Sequence, residues 1–168
     1  MLEILAKQIG KILVDAIRKE FTLQGHRLTG KLNASIEDVV KITANGANIL
    51  ILMNDYGIIQ NRGVNASRIP YNPNVRTGNR TSKYISGLQN FARLRFGVTP
   101  KIALGIAFAI AKKHAKEGMP TKASSRFSKT GRRTGAINEA VEKTDKEIEK
   151  LTLDYLETVV IELTNIAA

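Results

Sequence analysis

The sequence predicts an α+β fold with an N-terminal amphipathic helix, a β-hairpin forming a small antiparallel sheet, a buried central helix and a long C-terminal helix. Three patterns predict it. Apolar residues recur every three or four positions over residues 2–21 and 136–163, alternating runs flank an Asn45-Gly46 turn, and residues 102–111 are continuously apolar. At 168 residues, the chain is expected to form a single domain.

The first helix and the hairpin are predicted from the first third of the chain. Leu5, Ile9 and Ile17 fall on one helical face, and a polar elbow over residues 28–35 separates this helix from a strand that starts at Ile36. Asn45-Gly46 indicates a tight turn because both residues accept a positive φ. The return strand, residues 48–53, is apolar on both faces, so we expect it to be covered on both sides.

The remaining elements are predicted from start signals and periodicity. A short helix is expected over residues 56–63, and another after Ser82 with its apolar residues on one face: Tyr84, Leu88, Phe91 and Leu94. Thr99-Pro100 begins the central helix, whose apolar first half is expected to be buried on all sides. Residues 136–163 are expected to be helical, although β-branched residues over 155–163 leave a terminal strand open.

Charge divides the chain unevenly along its length. The net charge is +11, yet residues 56–136 hold 16 basic side chains against the single acid Glu117, while residues 137–168 hold 8 acids and 3 bases. We therefore assign the core to residues 1–63 and 99–165, with a basic loop-rich insertion over about 64–98 and a basic loop over 119–135. A basic middle followed by an acidic end can bind polyanions or other copies of the chain.

Motifs for catalysis, cofactors and metals are not recognisable in this sequence. The absence of cysteine excludes disulfides and thiolate sites, and His26 and His114 lie far apart among basic residues that repel a cation. Neither a carboxylate pair nor a nucleophile motif stands out, so we expect a non-enzyme without cofactor or metal. Residues 1–7 lack the pattern of a signal peptide, and the longest apolar run is shorter than the ~20 residues of a membrane span, so a soluble protein is expected.

Two sets of charged residues are the candidate contacts. Glycine and serine between the positive charges predict mobile basic loops that order on a phosphate backbone or an acidic partner. The candidate contacts with a polyanion or another subunit are Arg62, Arg68, Arg76, Arg80, Lys83, Lys122, Arg126, Lys129, Arg132 and Arg133. The candidate acidic interface on the last helix comprises Glu142, Glu149 and Glu157.

The order of motifs resembles a known virion family. The elbow Thr29-Gly30-Lys31-Leu32-Asn33-Ala34-Ser35-Ile36, followed by a hairpin and a segment from Tyr56-Gly57 to Gly63, is similar to the tail-completion and head–tail joining (neck) proteins of lambdoid-type siphophages. Phe127 in a loop before a C-terminal helix extends the resemblance, and residues 64–120 would be an insertion. The resemblance implies a small α+β subunit that forms a ring between portal-side proteins and the tail tube, with interfaces in place of a catalytic site.

Two functions are therefore expected from different classes. The first is a structural virion subunit in the neck or tail, made in the host cytoplasm, whose partners are its own copies, portal or adaptor proteins and tail-tube proteins. DNA would then be a non-specific contact, and no membrane partner is expected. The alternative is a soluble basic accessory protein that binds nucleic acid through the middle of the chain.

Overall fold

The computed structural model describes residues 1–26, 28–74 and 82–166. Within them the chain is mostly helical with a two-stranded antiparallel sheet, which confirms the predicted α+β class. The elements are α1 (Leu2–Leu23), α2 (Lys31–Ala34), β1 (Glu37–Thr43), β2 (Gly46–Leu52), α3 (Asp55–Arg62), α4 (Lys83–Phe96), α5 (Pro100–Glu117) and α6 (Ala136–Ile166), with 3₁₀ turns at Ala66–Arg68 and Lys122–Phe127.

The chain divides into two compact units. The first comprises Met1–Ile58 and Gly135–Ala168, and the second comprises Ile59–Thr134. The second unit contains α5, which the sequence analysis placed in the core, together with residues 64–98, which it placed in an insertion. The expectation of a single domain stays a prediction.

The core of the first unit lies where α1 packs against α6 and the hairpin. The three- and four-residue spacing of Val14, Ile17 and Phe21 puts these side chains on one face of α1, and all three are buried. They pack in one cluster with Leu32 and Ile36 from the elbow and with two alanines of α6. Phe21 is fully buried, so this cluster holds the first unit together.

The hairpin is covered on one face only. The strands pair from Glu37 opposite Leu52 to Thr43 opposite Gly46, and Ile51 packs against the core cluster. Leu50 and Leu52, on the other face of β2, are 42% and 43% exposed, so the expectation that β2 is covered on both sides is wrong. The reason is that α1 contacts the hairpin on one side, and alternate residues of a strand point to opposite faces.

The second unit is built on the pair of helices α4 and α5. Its contact surface is rich in alanine, because Ala92, Ala103, Ala107 and Ala111 are fully buried, and Ile85 packs in one cluster with two of them. Small side chains let two helices approach closely, and several larger apolar residues of these helices lie outside the contact. Ile102 is 55% exposed and Phe108 38% exposed, so the expectation that the first half of α5 is buried on all sides is wrong. Phe91 and Leu94 of α4 are also exposed.

The predicted boundaries of these helices are confirmed. Ser82 caps α4 by accepting a hydrogen bond from the Ile85 amide at 3.2 Å, and Gly97 ends it in a left-handed conformation. Pro100 is the first residue of α5, as predicted. α6 is helical through Ile166, which excludes the alternative of a terminal strand.

In the described part of the chain, no single helix is both long and apolar enough to cross a bilayer. α4 and α5 reach the required length and composition only when taken together, and they meet at a bend of 116°.

Candidate interaction surfaces

The elbow motif is a structural joint between α1 and the hairpin. Arg18 of α1 donates from Nε to the Asn33 carbonyl at 2.9 Å and from Nη2 to the Ile36 carbonyl at 2.6 Å. The Asn33 side-chain Nδ2 in turn donates to the Arg18 carbonyl at 3.1 Å and to the Thr22 hydroxyl at 2.8 Å. These reciprocal bonds fix the angle at which the chain leaves α1. The motif therefore positions the hairpin.

The remaining motif residues have equally local roles. Gly30 begins α2 with φ of 75°, a value that L-residues with a side chain rarely adopt. Ser35 accepts a hydrogen bond from the Asn54 amide at 3.2 Å, which ties the elbow to the end of the hairpin. A Cβ at Gly57 would lie 2.6 Å from the Met53 sulfur and 3.0 Å from Leu32, so a larger residue after Tyr56 would require these two side chains to move.

The division into units coincides with a division of charge. The second unit contains all 16 basic residues of the middle of the chain and the acid Glu117, a net charge of +15. The first unit contains 10 basic and 14 acidic residues, a net charge of −4. One polypeptide thus carries two compact bodies of opposite charge, each able to attract the other kind on a neighbouring molecule.

The predicted acidic interface lies on the solvent side of α6. Ala136, Ala140 and Thr144 form the buried face of this helix, whereas Glu142, Glu149 and Glu157 are exposed. We call these three acids the acidic face. Among the described residues, no basic side chain forms an ion pair with them, and their exposure leaves them available to an outside partner.

Lys143 fixes how α6 is turned against α1. Its Nζ lies 2.8 Å from Oε2 of Glu20, whose side chain is 3% exposed. The hydrogen bond from Lys143 to this carboxylate raises the pKa of Lys143. A buried carboxylate requires a partner, so this contact opposes rotation of α6 about its own axis.

The acidic face continues into an apolar stripe in the last third of α6. Glu142, Glu149, Leu156 and Leu163 are seven residues apart, so they follow nearly one line along the helix. The stripe consists of Leu153, Leu156, Val160 and Leu163, which are 50–62% exposed. Leu153, Leu156 and Val160 also line a shallow depression on the helix surface. The sequence predicts a helix with apolar periodicity over residues 136–163, but not that these four side chains stay uncovered in the described chain.

The predicted basic contacts that the structure describes all fall in the second unit. Arg62 ends α3, Arg68 ends a 3₁₀ turn, and Lys83 begins α4. All three are exposed, as are Lys122, Arg126, Lys129 and Arg132, whereas Arg133 is half-buried. Arg76 and Arg80 lie outside the described residues.

The basic segment before α6 has local hydrogen bonds. Lys122–Phe127 forms a 3₁₀ turn, and its serines bond to the local backbone: Ser124 donates to the Thr121 carbonyl at 2.6 Å and Ser125 to the Lys122 carbonyl at 2.9 Å. The Lys122 amide donates to Glu117, which also pairs with Lys113 at 2.6 Å. The hydroxyls of both serines are thus bonded to the backbone of the same turn, which the sequence pattern does not predict, and the mobility of the loop stays a prediction.

Two Arg-Phe dipeptides that are distant in the sequence meet on the surface of the second unit, which the sequence patterns did not predict. The Arg95 guanidinium lies 5.7 Å from the centre of the Phe127 ring, and that of Arg126 lies 4.8 Å from it. Phe96 contacts Phe91 edge to face at 6.4 Å between ring centres. We call these five residues the aromatic–arginine patch. The signal in the sequence was the repeated dipeptide Arg-Phe, at 95–96 and 126–127.

The two histidines lie in different units and have aromatic neighbours. His26 contacts Phe21 edge to face at 5.8 Å, and the His114 Nδ1 lies 2.7 Å from the Tyr84 hydroxyl. Burial lowers the pKa of His114 and raises the pKa of Tyr84 to about 12. Among the residues that the structure describes, no three His, Asp or Glu side chains group as metal ligands.

Comparison with known proteins gave no relative. Neither a protein-family model, nor a curated protein, nor a solved structure matches this chain.

Proposed function

We propose that this chain is a non-enzymatic structural subunit of a tailed-bacteriophage virion, which forms a ring in the neck or upper tail and joins the head to the tail. The observation that carries the proposal is the division of charge between two compact units, −4 and +15. A ring subunit needs two different complementary surfaces, and oppositely charged bodies on one chain supply them. Its partners are then its own copies and the portal-side and tail-tube proteins.

The geometry of the elbow supports a structural role. The motif residues Gly30, Asn33 and Ser35 hold the hairpin at a fixed angle to α1. A fixed angle between α1 and the hairpin is needed in a subunit whose neighbours contact both elements. The exposed residues Leu50 and Leu52 on the open face of the hairpin are available for such a neighbour.

Localisation in the virion tests this function directly. An antibody raised against the purified protein is used on gradient-purified tailed particles from the strain that carries the gene, by immunoblot and by immunogold electron microscopy. We expect a stoichiometric signal at the junction of head and tail. Deletion of the gene is expected to leave heads and tails unjoined. Joined, infectious particles from the deletion strain would contradict the proposal.

The alternative is nucleic-acid binding, and the +15 charge of the second unit favours it. The test is fluorescence anisotropy with labelled DNA over a series of salt concentrations. Each phosphate contact adds ~0.9 to the slope of log affinity against log salt, so replacing three contacting cations, Arg126, Lys129 and Arg132, by Ser lowers the slope by up to about 2.7. As a joining subunit, the free protein is expected to bind DNA weakly and without sequence preference. Tight, sequence-selective binding would favour the accessory role.

A further inference from the structure

We infer that the apolar stripe of α6 in one copy of this chain docks on the aromatic–arginine patch of a second copy, in a head-to-tail contact. The inference deepens the proposed function and rests on it, since it names the two surfaces through which the ring would close. Both surfaces combine exposed apolar side chains with charges of one sign, and the signs are opposite.

The stripe has the geometry of a helix that packs against a partner. Leu153, Leu156, Val160 and Leu163 follow each other at steps of three, four and three residues, the spacing of a coiled-coil seam. Over these 11 residues the helix rises ~15 Å, almost three turns. Each of the four side chains is at least half exposed. An apolar face of this length on a water-exposed helix is typical of a helix that lies in a partner's groove.

Charge decides which partner the stripe accepts. Residues 151–166 contain three acids and neither Lys nor Arg, the acids being Asp154, Glu157 and Glu162. Two copies of α6 packed on each other would bring like charges together, which disfavours a symmetric α6–α6 contact. A partner with exposed apolar residues inside a basic rim is favoured instead.

The patch has these properties. Phe96 is 51% exposed, Phe127 44% and Phe91 38%, and the guanidinium groups of Arg95 and Arg126 lie over the Phe127 ring. The patch belongs to the unit with a net charge of +15. Apolar contact at the centre and oppositely charged residues at the rim are the usual anatomy of a protein interface.

Nucleic acid fits the same patch less well. Sequence-tolerant binding of single strands relies on bases that stack on open aromatic faces. Here two guanidinium groups lie over the Phe127 ring, and Phe91 and Phe96 pack edge to face on each other. Side chains from a helix, which need no parallel ring face, suit this arrangement better than bases.

A contact between two different surfaces can be tested by mixing two variants, each of which lacks one of the surfaces. Leu156→Asp disables the stripe, Phe96→Asp disables the patch, and Ile4→Asp, at a residue of α1 that is 63% exposed, serves as the control. All three positions are exposed, so each variant is expected to fold, which circular dichroism verifies. Sedimentation velocity up to the solubility limit then measures the assembly of each protein and of mixtures.

We expect the wild type and Ile4→Asp to form oligomers and each of the other two variants to stay monomeric. An equimolar mixture of Leu156→Asp and Phe96→Asp is expected to form dimers and nothing larger, because each pair retains one intact patch and one intact stripe. A wild type that stays monomeric, a Phe96→Asp variant that assembles like the wild type, or a mixture without dimers would each overturn the inference.

Failure of this contact and failure of the proposed function are distinguishable. If the mixture dimerises but the protein is absent from virions, the contact stands and the virion role fails. If Leu156→Asp is incorporated into joined particles as efficiently as the wild type, the virion role stands and the contact fails.

Discussion

Replacing Gly63 by Ala should destabilise the second unit more than the same change at Gly131. Both glycines have φ of +73°, so a side chain is strained to the same degree at either position. Their surroundings differ. A Cβ at Gly131 meets nothing within 4 Å, whereas one at Gly63 would lie 2.5 Å from the Met119 carbonyl oxygen. The difference between the two losses of unfolding free energy therefore measures the effect of the contact with the Met119 carbonyl.

The size of the loss at Gly63 follows from the hydrogen bonds of the Met119 carbonyl. The Met119 oxygen accepts the Val64 amide at 2.7 Å, and the Val64 oxygen accepts the Met119 amide at 2.7 Å. Left-handed backbone costs a non-glycine residue ~1–2 kcal/mol, which is the whole effect expected at Gly131. At Gly63 the carbonyl must also move. Two hydrogen bonds, each with a net value of ~0.5–1.5 kcal/mol, are then weakened, for a total loss of ~2–5 kcal/mol.

Urea denaturation followed by far-ultraviolet circular dichroism measures the difference. The free energy of unfolding of Gly63→Ala should lie at least ~1 kcal/mol below that of Gly131→Ala, from the lower end of the hydrogen-bond range. Equal losses would show that Val64 and Met119 are not held together as described.

Three further outcomes are expected. Ala107→Leu should lower the free energy of unfolding by ~1–3 kcal/mol in urea denaturation because Ala107 is fully buried, whereas Ala109→Leu, on the exposed side of the same helix, should change it by less than ~0.5 kcal/mol. Burial lowers the pKa of His114, so below pH 6.5 the unfolded chain binds more protons than the folded one. The urea midpoint of the wild type should therefore fall as the pH drops through 6.5. The midpoint of His114→Gln should fall less over the same pH range. Glutamine at all three positions of the acidic face should reduce assembly in sedimentation without altering the dichroism spectrum, and unchanged assembly would mean that these acids are only a solvated surface.

The sequence predicts the elements of this fold well because their signals are local. The start of α4 at Ser82 and the start of α5 at Pro100 each depend on a few adjacent residues. The hairpin turn was predicted one residue too late: it lies at Ala44-Asn45, because Gly46 already pairs with Thr43 in β2, and Asn45 does not adopt a positive φ. The buried side of α5 is a different matter. Its first half is apolar all round, and hydrophobicity alone does not show that the alanines would face α4 and that Ile102 would face solvent.

The sequence predicts the charge of the candidate surfaces, but not which distant residues they bring together. Glu142 and Glu149 lie where the helical pattern places them, on the outside of α6. The aromatic–arginine patch joins Arg95 to Phe127, which are more than 30 residues apart, so no local pattern contains it. The hydrogen bond of Ser124 was not predicted because a serine hydroxyl that bonds to the backbone looks the same in sequence as one that bonds to water.

Because one unit has a net charge of −4 and the other of +15, this protein is a block polyampholyte, a chain whose opposite charges lie in separate segments. Its solubility should therefore depend on salt differently from that of an evenly charged protein. In dilute buffer the screening length is ~30 Å at 0.01 M salt, long enough for the acidic unit of one molecule to attract the basic unit of the next. At 0.15 M it is ~8 Å, and only close contacts survive. Adding salt should therefore dissolve the protein, and dialysis into water should precipitate it. Near the isoelectric point of about 10.0 the two units still carry opposite charges, so this salting-in persists where the net charge is zero.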